Sequence, residues 1–207
     1  MGFACVLAQL GSRVPAGTRI RNQSSRPVVR VVAGEHRGRR LEAPRGDRTR
    51  PTPDRVREAL FSILGALDGL RVLDLYAGSG ALGIEALSRG AGETTFVDSD
   101  AAAVRAVRAN LERVGSPRGR VFRADALSFL RGAARHGDLW DLVLCDPPYR
   151  LAPRLGPVLG PLLVPVLGAE ARIVCESPAK QPLRLDLPVI DERRYGDTAL
   201  VIHAAGS

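Results

Sequence analysis

Short apolar runs alternate along the middle of the chain with segments whose apolar residues recur every three or four positions. The runs predict buried β-strands, and the recurring positions predict amphipathic helices. The predicted strands are residues 71–75, 94–97, 120–122 and 141–145, and the predicted helices are residues 81–89, 101–114 and 126–135. Strands that alternate with helices at this spacing predict an α/β fold with a doubly wound, mostly parallel sheet.

The segment before this alternation has a weaker pattern. Residues 28–32 are β-branched and predict a short strand, whereas residues 34–53 are broken by Gly and Pro and predict a loop or small hairpin. Asp54 is placed to cap a helix whose apolar positions are 56, 60, 63, 64 and 67.

The segment after it is harder to interpret. Residues 151–167 are apolar but carry a proline at every fourth position from Pro153 to Pro165, so we expect any helix there to be broken. Three further strands are predicted over residues 171–175, 183–189 and 199–202.

Positive charge is concentrated at one end of the chain. The formal net charge is +8, and residues 1–60 hold 13 Arg against 5 acidic residues, whereas the remainder is balanced. A basic segment beside a neutral domain is typical of an arm that contacts a polyanion, and a solvated basic tail is the alternative. Residues 1–27 lack periodicity, so we expect a disordered or dispensable extension there rather than a signal peptide. Residues 28–67 then form a basic segment with a helix, and residues 68–207 form the main domain.

The cysteines predict neither a metal site nor a disulfide framework. Cys5, Cys145 and Cys175 are odd in number and far apart, and the three His are equally scattered. No run approaches the ~18 uninterrupted apolar residues that a membrane span needs. We expect a protein of the reducing cytoplasm, without metal or membrane contact.

A glycine-rich turn follows the first strand of the main domain. The run Asp74-Leu75-Tyr76-Ala77-Gly78-Ser79-Gly80 ends this strand and opens a helix. Such turns let the backbone approach a ligand where a side chain would collide. Nicotinamide enzymes and plain tight turns share the glycine pattern. The carboxylate of Asp74, however, would repel a pyrophosphate and suits the ammonium of a methionine moiety.

Two more carboxylates end predicted strands. Asp98 lies 20 residues after Gly78, beside Ser99, where a carboxylate takes both hydroxyls of a ribose. Asp100 either joins this site or caps the following helix. Asp125 is placed to accept from an adenine amino group or to cap the helix that begins at Ala126, and these two roles can coexist.

The segment Asp146-Pro147-Pro148-Tyr149 indicates the chemistry. The exocyclic amine of a nucleobase is a poor nucleophile, because its lone pair is delocalised into the ring. Acceptors from the Asp146 side chain and the Pro147 carbonyl would hold both amino hydrogens and favour a pyramidal nitrogen, so that positioning and electrostatics supply the rate. Tyr149 would stack on a base extruded from its strand. A proline turn beside a core tyrosine is the alternative interpretation.

The glycine turn followed by Asp-Pro-Pro-Tyr is similar to class I S-adenosylmethionine (SAM)-dependent amino-methyltransferases. Three further segments resemble the RsmD family, the bacterial methyltransferases that modify a guanine N2 of 16S ribosomal RNA. These segments are Arg30–Gly34, Arg50–Phe61 and Arg194–Thr198. The likeness runs from about Arg30 to the C-terminus, and the proline-rich segment 150–165 departs from the family pattern.

The resemblance implies a fold, a cofactor and a substrate. The fold is a Rossmann-like, seven-stranded, mostly parallel sheet with one antiparallel strand and a small basic N-terminal appendage. The cofactor is SAM, and the substrate is 16S rRNA within the small ribosomal subunit, bound by a monomer. The RNA-contacting part would be residues 34–57, with six of its arginines as the candidate contacts: Arg37, Arg39, Arg40, Arg48, Arg50 and Arg55.

Three other functions are weighed against this one. A DNA adenine-N6 methyltransferase also uses Asp-Pro-Pro-Tyr, but the chain has no insertion large enough to read DNA sequence. A nicotinamide-dependent oxidoreductase leaves Asp146–Tyr149 unexplained. A catalytically silent RNA-binding protein of the same fold would not need those four residues.

Overall fold

The computed structural model describes residues 29–44 and 52–206. The strands are β1 (Val29–Arg30), β2 (Arg40–Leu41), β3 (Arg71–Leu75), β4 (Glu93–Asp98), β5 (Gly119–Arg123), β6 (Trp140–Cys145), β7 (Leu167–Pro178), β8 (Val189–Tyr195) and β9 (Thr198–Ala204). The helices are α1 (Asp54–Leu64), α2 (Ala81–Ser88), α3 (Ala101–Val114), α4 (Ala126–His136) and α5 (Ala152–Leu163), and a 3₁₀ turn over Val164–Val166 follows α5.

Strands β3 to β9 form one seven-stranded sheet in the order β5-β4-β3-β6-β7-β9-β8. The strands from β5 to β7 are parallel, whereas β9 runs antiparallel to both of its neighbours. This is the class I SAM-dependent methyltransferase fold, and the Rossmann-like prediction is confirmed. The strand order reverses between β3 and β6, and ligands of such sheets bind beyond the carboxyl ends of the strands at this point.

Alternate side chains of the sheet pack into two apolar layers. Val72 and Leu144 face the layer that contains α1, α2 and α3, whereas Leu73 and Val143 face α4 and α5. Because both faces are covered, the central strands β3 and β6 are mainly apolar, with Asp74 and Asp141 among the exceptions, and such runs are readily predicted. Within residues 29–44 and 52–206, every helix is too short or too polar to cross a lipid bilayer.

The predicted strand over residues 28–32 is shorter than expected. Val29–Arg30 pairs with Arg40–Leu41, which gives the small hairpin predicted for the basic segment. The backbone N–H groups of Val32 and Ala33 then donate to the buried carboxylate of Glu85, at 2.7 and 2.9 Å, instead of continuing the strand. The hairpin is therefore held against α2 by backbone hydrogen bonds.

Close packing at Gly34 reinforces this attachment. A Cβ atom there would lie 1.8 Å from the carbonyl oxygen of Ser88, so only glycine fits. Val29, Val31 and Leu41 of the hairpin belong to the same apolar layer as α1 and α2. The basic segment is thus part of the main core rather than a separately folded unit.

Helix α1 begins differently from the prediction. Pro53 is the residue before the helix, and Asp54 is its first residue, so Asp54 does not cap it. The Asp54 carboxylate instead accepts a 2.6 Å hydrogen bond from the guanidinium of Arg57 and a 2.8 Å bond from Arg30. The helix ends at Leu64, and the predicted core residue Leu67 is buried beyond its end.

The prediction of a broken helix over residues 151–167 is wrong. Helix α5 is continuous over Ala152–Leu163 although it contains Pro157 and Pro161. Pro153, Pro157 and Pro161 are spaced by four residues and lie on the exposed side of the helix, and the exposed Pro165 lies in the following 3₁₀ turn. The carbonyl groups that lose a partner therefore face water, and a helix on a surface bends away from solvent-side prolines without losing its buried contacts.

The strand predicted over residues 183–189 is also wrong. Leu183 and Leu185 alternate into the core as strand residues do, but their N–H groups donate to the Ser177 hydroxyl and to the His203 ring. The segment therefore forms no strand ladder before β8 begins at Val189. Strand β8 escaped prediction because it is a polar edge strand with an Asp-Glu-Arg-Arg run.

Candidate functional site

The glycine turn lies at the carboxyl end of β3. Tyr76 has a φ of 61°, in the left-handed region, and Gly80 adopts a φ of 76° as the residue before α2. A Cβ at Gly83, in the first turn of α2, would lie 2.3 Å from the Phe96 ring and 2.9 Å from the Asp74 carboxylate. The turn is therefore packed tightly against the side chains of β3 and β4. The backbone of Gly78, Ser79 and Gly80 forms the rim of the site.

Asp74 lies beneath this turn. Its side chain is buried, and one carboxylate oxygen accepts a 3.0 Å hydrogen bond from the backbone N–H of Gly83. Burial raises the pKa of Asp74 to about 8, although the Gly83 hydrogen bond acts in the opposite direction. Asp74 thus holds the helix start in place, and its predicted contact with a methionine ammonium remains a prediction.

Asp98 ends β4, the neighbouring strand. It accepts hydrogen bonds from the N–H groups of Gly78, at 2.9 Å, and Asp100, at 2.8 Å, while the side chain stays partly accessible. Ser99 is exposed beside it. Asp100 caps α3 by accepting from the N–H of Ala102 at 2.7 Å, so the capping alternative for this residue is confirmed.

Asp125 follows β5, one strand further out. It caps α4 by accepting a 3.0 Å hydrogen bond from the N–H of Ser128, and it is exposed, whereas Ala126 is buried. The structure therefore brings Asp98 and Asp125 to the carboxyl ends of adjacent strands, beside the glycine turn. Accessible carboxylates beside a backbone rim are a donor and acceptor set that fits a nucleoside with a charged tail.

The Asp146–Tyr149 segment leaves the sheet directly after β6. Cys145 is the register partner of Leu75 on β3, so this segment begins next to the glycine turn. Pro147 is buried, whereas Pro148 and Tyr149 are exposed, and the Tyr149 hydroxyl lies 3.5 Å from the Thr198 hydroxyl. The carbonyl of Pro148 accepts from the N–H of Leu151, which turns the chain into α5.

Glu176 is a site residue that sequence analysis missed. Cys145 and Cys175 are register partners on β6 and β7, so the residues that follow them, Asp146 and Glu176, are neighbours. We call these two side chains the acid pair. The Thr52 hydroxyl donates a 2.8 Å hydrogen bond to Glu176 Oε2. An acid directly after a predicted strand, as at Asp98 and Asp146, was the available signal.

Both members of the acid pair have raised pKa values. Burial raises the pKa of Asp146 well above its usual range, and the neighbouring charges of Glu176 and Asp74 raise it further. Burial also raises the pKa of Glu176 to about 7, against the lowering effects of the Thr52 hydroxyl and the Arg57 charge. Both carboxyls, of which Glu176 is buried and Asp146 is partly exposed, therefore ionise less readily than free carboxyls do.

Arg57 is the second residue that the sequence did not single out. Its side chain is fully buried, and Nη2 donates 2.6 Å hydrogen bonds to the Arg30 carbonyl and the Asp54 carboxylate. Among the described residues, its Nε and Nη1 atoms find no acceptor. Arg57 thus places a buried positive charge near the acid pair.

The predicted RNA-contacting arginines fall into two groups. Arg37, Arg39, Arg40 and Arg55 are exposed on the surface of the hairpin and of α1, whereas Arg48 and Arg50 lie outside the described residues. A cavity of about 430 Å³ is lined by Arg30, Gly38, Arg40 and Asp54. Across residues 29–44 and 52–206, no cluster of His, Cys, Asp and Glu side chains has the geometry of a metal site.

The sequence is similar to one family of proteins over most of its length. The family described as Conserved hypothetical protein 95 matches residues 29–204. The Bacillus subtilis protein YlbH is 44% identical over 180 residues, which cover 84% of this chain and 98% of YlbH. Ribosomal RNA small subunit methyltransferase D of Escherichia coli is 41% identical over 163 residues, which cover 78% of this chain and 81% of that protein.

A solved structure agrees with the sequence relatives. The structure of yhhF from Escherichia coli superposes with a TM-score of 0.74 at 33% identity, and the match covers 87% of this chain and 99% of yhhF. These relatives are named as methyltransferases, which argues against the nicotinamide-dependent alternative. The chain therefore belongs to the Conserved hypothetical protein 95 family, the family of RsmD-type rRNA methyltransferases.

Proposed function

We propose that this protein transfers a methyl group from SAM to the N2 amino group of a guanine in 16S rRNA of the small ribosomal subunit. One juxtaposition carries the proposal. The glycine turn ends β3, the Asp146–Tyr149 segment ends the adjacent strand β6, and the two are in register. The rim proposed for the cofactor and the segment proposed for the amine thus meet where the strand order of the sheet reverses.

The glycine-turn side fits SAM residue by residue. Asp98 has lone pairs left beyond those used by two backbone N–H groups, and these would take the ribose hydroxyls. Asp125, next to Ala126, is exposed and would accept from the adenine amine. The methionine end belongs at the turn of Tyr76, Gly78, Ser79 and Gly80, next to Asp74. When bound, SAM supplies an electrophilic methyl group on its sulfonium.

The substrate side would hold the amine. Asp146 and the Pro147 carbonyl would accept the two N2 hydrogens and direct the nitrogen lone pair toward the methyl group. After transfer the nitrogen must lose a proton, and Asp146, whose pKa is raised by burial, is placed to take it. Tyr149, which is 42% exposed next to the rigid Pro148, would stack on the flipped base.

RNA would be bound by the exposed arginines of the hairpin and α1. Arg37, Arg39, Arg40 and Arg55 are exposed, as residues that contact RNA phosphates must be, and Arg40 also lines the cavity described above. Arg48 and Arg50, which lie outside the described residues, are included in the proposal on their sequence position alone. Asp54 lines the cavity and lies two residues from Thr52, which bonds the acid pair. One chain carries all these groups, so a monomer acting in the bacterial cytoplasm suffices.

The product nucleoside tests the proposal. Labelled SAM is incubated with small ribosomal subunits from a strain that lacks the enzyme, with free 16S rRNA and with duplex DNA, and the labelled nucleoside is identified after digestion. We expect label in N2-methylguanine from the ribosomal substrates. Label confined to adenine of the DNA would overturn the assignment in favour of the DNA adenine-N6 alternative.

A further inference from the structure

Glu176 lies beside the target-amine residues but has no role in the transfer described above. Because Cys145 and Cys175 are register partners in parallel strands, the backbones of Asp146 and Glu176 run side by side, about 4.8 Å apart. The charge of Glu176 raises the pKa of Asp146, so the two carboxylates lie close to each other. A base whose amine is held at Asp146 would therefore present its next edge atom to Glu176.

The Glu176 carboxylate is held in place but has a free oxygen. The side chain is 4% exposed, and Thr52 donates its hydroxyl hydrogen to Oε2 at 2.8 Å. Within residues 29–44 and 52–206, no hydrogen bond reaches Oε1. Oε1 is therefore left for a donor that arrives with the substrate.

The atom beside the amine distinguishes the two purines. In guanine, the N2 amine is next to N1–H, so the edge presents adjacent donors. In adenine, the N6 amine is next to N1, which carries a lone pair and accepts. An ionised carboxylate only accepts hydrogen bonds, so it pairs with guanine N1–H and repels adenine N1.

We propose that Glu176 is the specificity-determining residue that selects guanine: Oε1 accepts N1–H while Asp146 and Pro147 hold the neighbouring N2 amine. This inference rests on the proposed function, because it assumes that the amine is bound at Asp146. It also explains why an acid is buried at the end of β7, where an apolar residue would satisfy the packing.

Burial is the largest influence on the Glu176 carboxyl and disfavours its charged form, but two neighbouring groups act in the opposite direction. The buried Arg57 charge and the Thr52 hydroxyl both lower the pKa of Glu176, against burial, which raises it to about 7. A hydrogen bond from guanine N1–H would lower the pKa further, because it stabilises the carboxylate. Thr52 and Arg57 are thus positioning residues for Glu176, whose Oε1 accepts from the base.

This role is tested by replacing the hydrogen-bond donor on the base with an acceptor and the acceptor on the enzyme with a donor. Small subunits are reconstituted with a synthetic rRNA segment that carries either guanine or 2-aminopurine at the methylated position. 2-Aminopurine keeps the amine but has a lone pair at N1. The wild-type enzyme is expected to prefer guanine by about 100-fold in kcat/KM, because its carboxylate meets that lone pair. Glu176→Gln, whose amide donates to N1, is expected to reduce the preference at least about tenfold.

Controls separate this role from general damage. Glu85→Gln removes another buried carboxylate, away from the acid pair, and is expected to keep the wild-type preference. Glu176→Asp keeps an acceptor and is expected to favour guanine at a lower rate. If calorimetry shows that Glu176→Gln no longer binds SAM, the guanine preference of Glu176→Asp becomes the deciding measurement. An unchanged ratio in Glu176→Gln, or a lost preference in Glu176→Asp, overturns the role of Glu176. A wild-type enzyme that labels no guanine overturns the proposed function instead.

Discussion

The two sides of the site both present carboxylates but use them differently. On the glycine-turn side, Asp74, Asp98 and Asp125 each accept a backbone N–H from a residue at most 20 positions away. In the acid pair, Glu176 is bonded by Thr52, which lies 124 positions away in the chain. The first side is built by local loop and cap geometry, whereas the second exists only once the sheet and α1 have come together.

This difference has a chemical consequence. Carboxylates that accept backbone N–H groups shape and hold a surface, so the glycine-turn side is preorganised before any ligand arrives. The acid pair places the buried Glu176 carboxyl next to the partly exposed Asp146 carboxyl, and each can still accept a hydrogen bond. Substrate N–H groups would then supply the hydrogen bonds that the protein itself does not. Variants on the two sides should therefore separate cofactor binding from substrate reading and turnover.

Asp146→Ala gives the largest expected effect. Methyl transfer should fall by about three orders of magnitude or more, because the amine loses an acceptor that positions it in the transition state. SAM affinity, measured by calorimetry, should change little, since Asp146 lies on the substrate side. Asp141→Ala is the matched control, because Asp141 accepts from the Arg71 N–H at the opposite end of β6. Near-normal turnover of Asp146→Ala would contradict the catalytic assignment.

Neutralising Arg37, Arg39 and Arg40 together should give the next largest effect. These side chains are exposed, so their loss should weaken rRNA binding about tenfold or more at low salt and leave SAM affinity unchanged. The slope of log affinity against log salt should flatten by roughly one unit per lost phosphate contact. Arg131, Arg135 and Arg154 on α4 and α5 provide a control triple variant. An unchanged slope would favour a merely solvated basic segment.

The comparison also explains which parts of the molecule were predictable. The strands β3, β4 and β6, helix α3 with its Asp100 cap and the glycine turn depend on residues close in sequence, so local patterns were sufficient. Helix α5 was missed because proline indicates a break unless its lost hydrogen bond faces water, and exposure is a tertiary property. The 183–189 segment was misassigned because the side chains of Ser177 on β7 and His203 on β9 accept from its N–H groups where a strand ladder was expected.

The residues of the candidate site likewise fall into those that could be predicted from local sequence and those that could not. Asp98, Asp125 and Asp146 end predicted strands, and the structure places all three along one edge of the sheet. Glu176 and Arg57 were not chosen, because their neighbourhood is created by the register of β6 with β7 and by the packing of α1. A sequence shows which acids end strands, but the identity of their neighbours requires the strand order.

Asp98→Ala should lower SAM affinity about tenfold. The change removes the proposed ribose acceptor and also the hydrogen bond that holds the Gly78 N–H at 2.9 Å. Asp100→Ala is the control on the same loop, because it removes only a helix cap and should cost about 1 kcal/mol of stability with little change in affinity. Equal SAM affinities of the two variants, measured by calorimetry, would contradict the role of Asp98. With saturating SAM, the guanine preference of Asp98→Ala should remain as in the wild type.

The smallest expected effect is a pH dependence in which activity and stability change in opposite directions. Burial raises the pKa of Asp74 to about 8 and that of Glu176 to about 7. The folded protein therefore holds protons that the unfolded chain releases above about pH 4. The stability contributed by these groups is full below that pH and is lost as the pH rises to about 8. Tm should accordingly fall between pH 5 and 8, and Asp74→Asn should reduce this fall.

Activity should rise over part of the same range, because guanine N1–H requires the ionised form of Glu176. At subsaturating rRNA, kcat/KM should increase severalfold from pH 6 to 8, and Glu176→Gln should flatten the profile, since its amide does not titrate. Asp74→Asn tests the separation of the two sides, because it should alter the pH dependence of Tm while leaving the rise in kcat/KM in place. If Glu176→Gln kept the wild-type profile, the titrating group would have to be Asp146. The proposal that Glu176 accepts guanine N1–H while Asp146 holds the amine would then be contradicted.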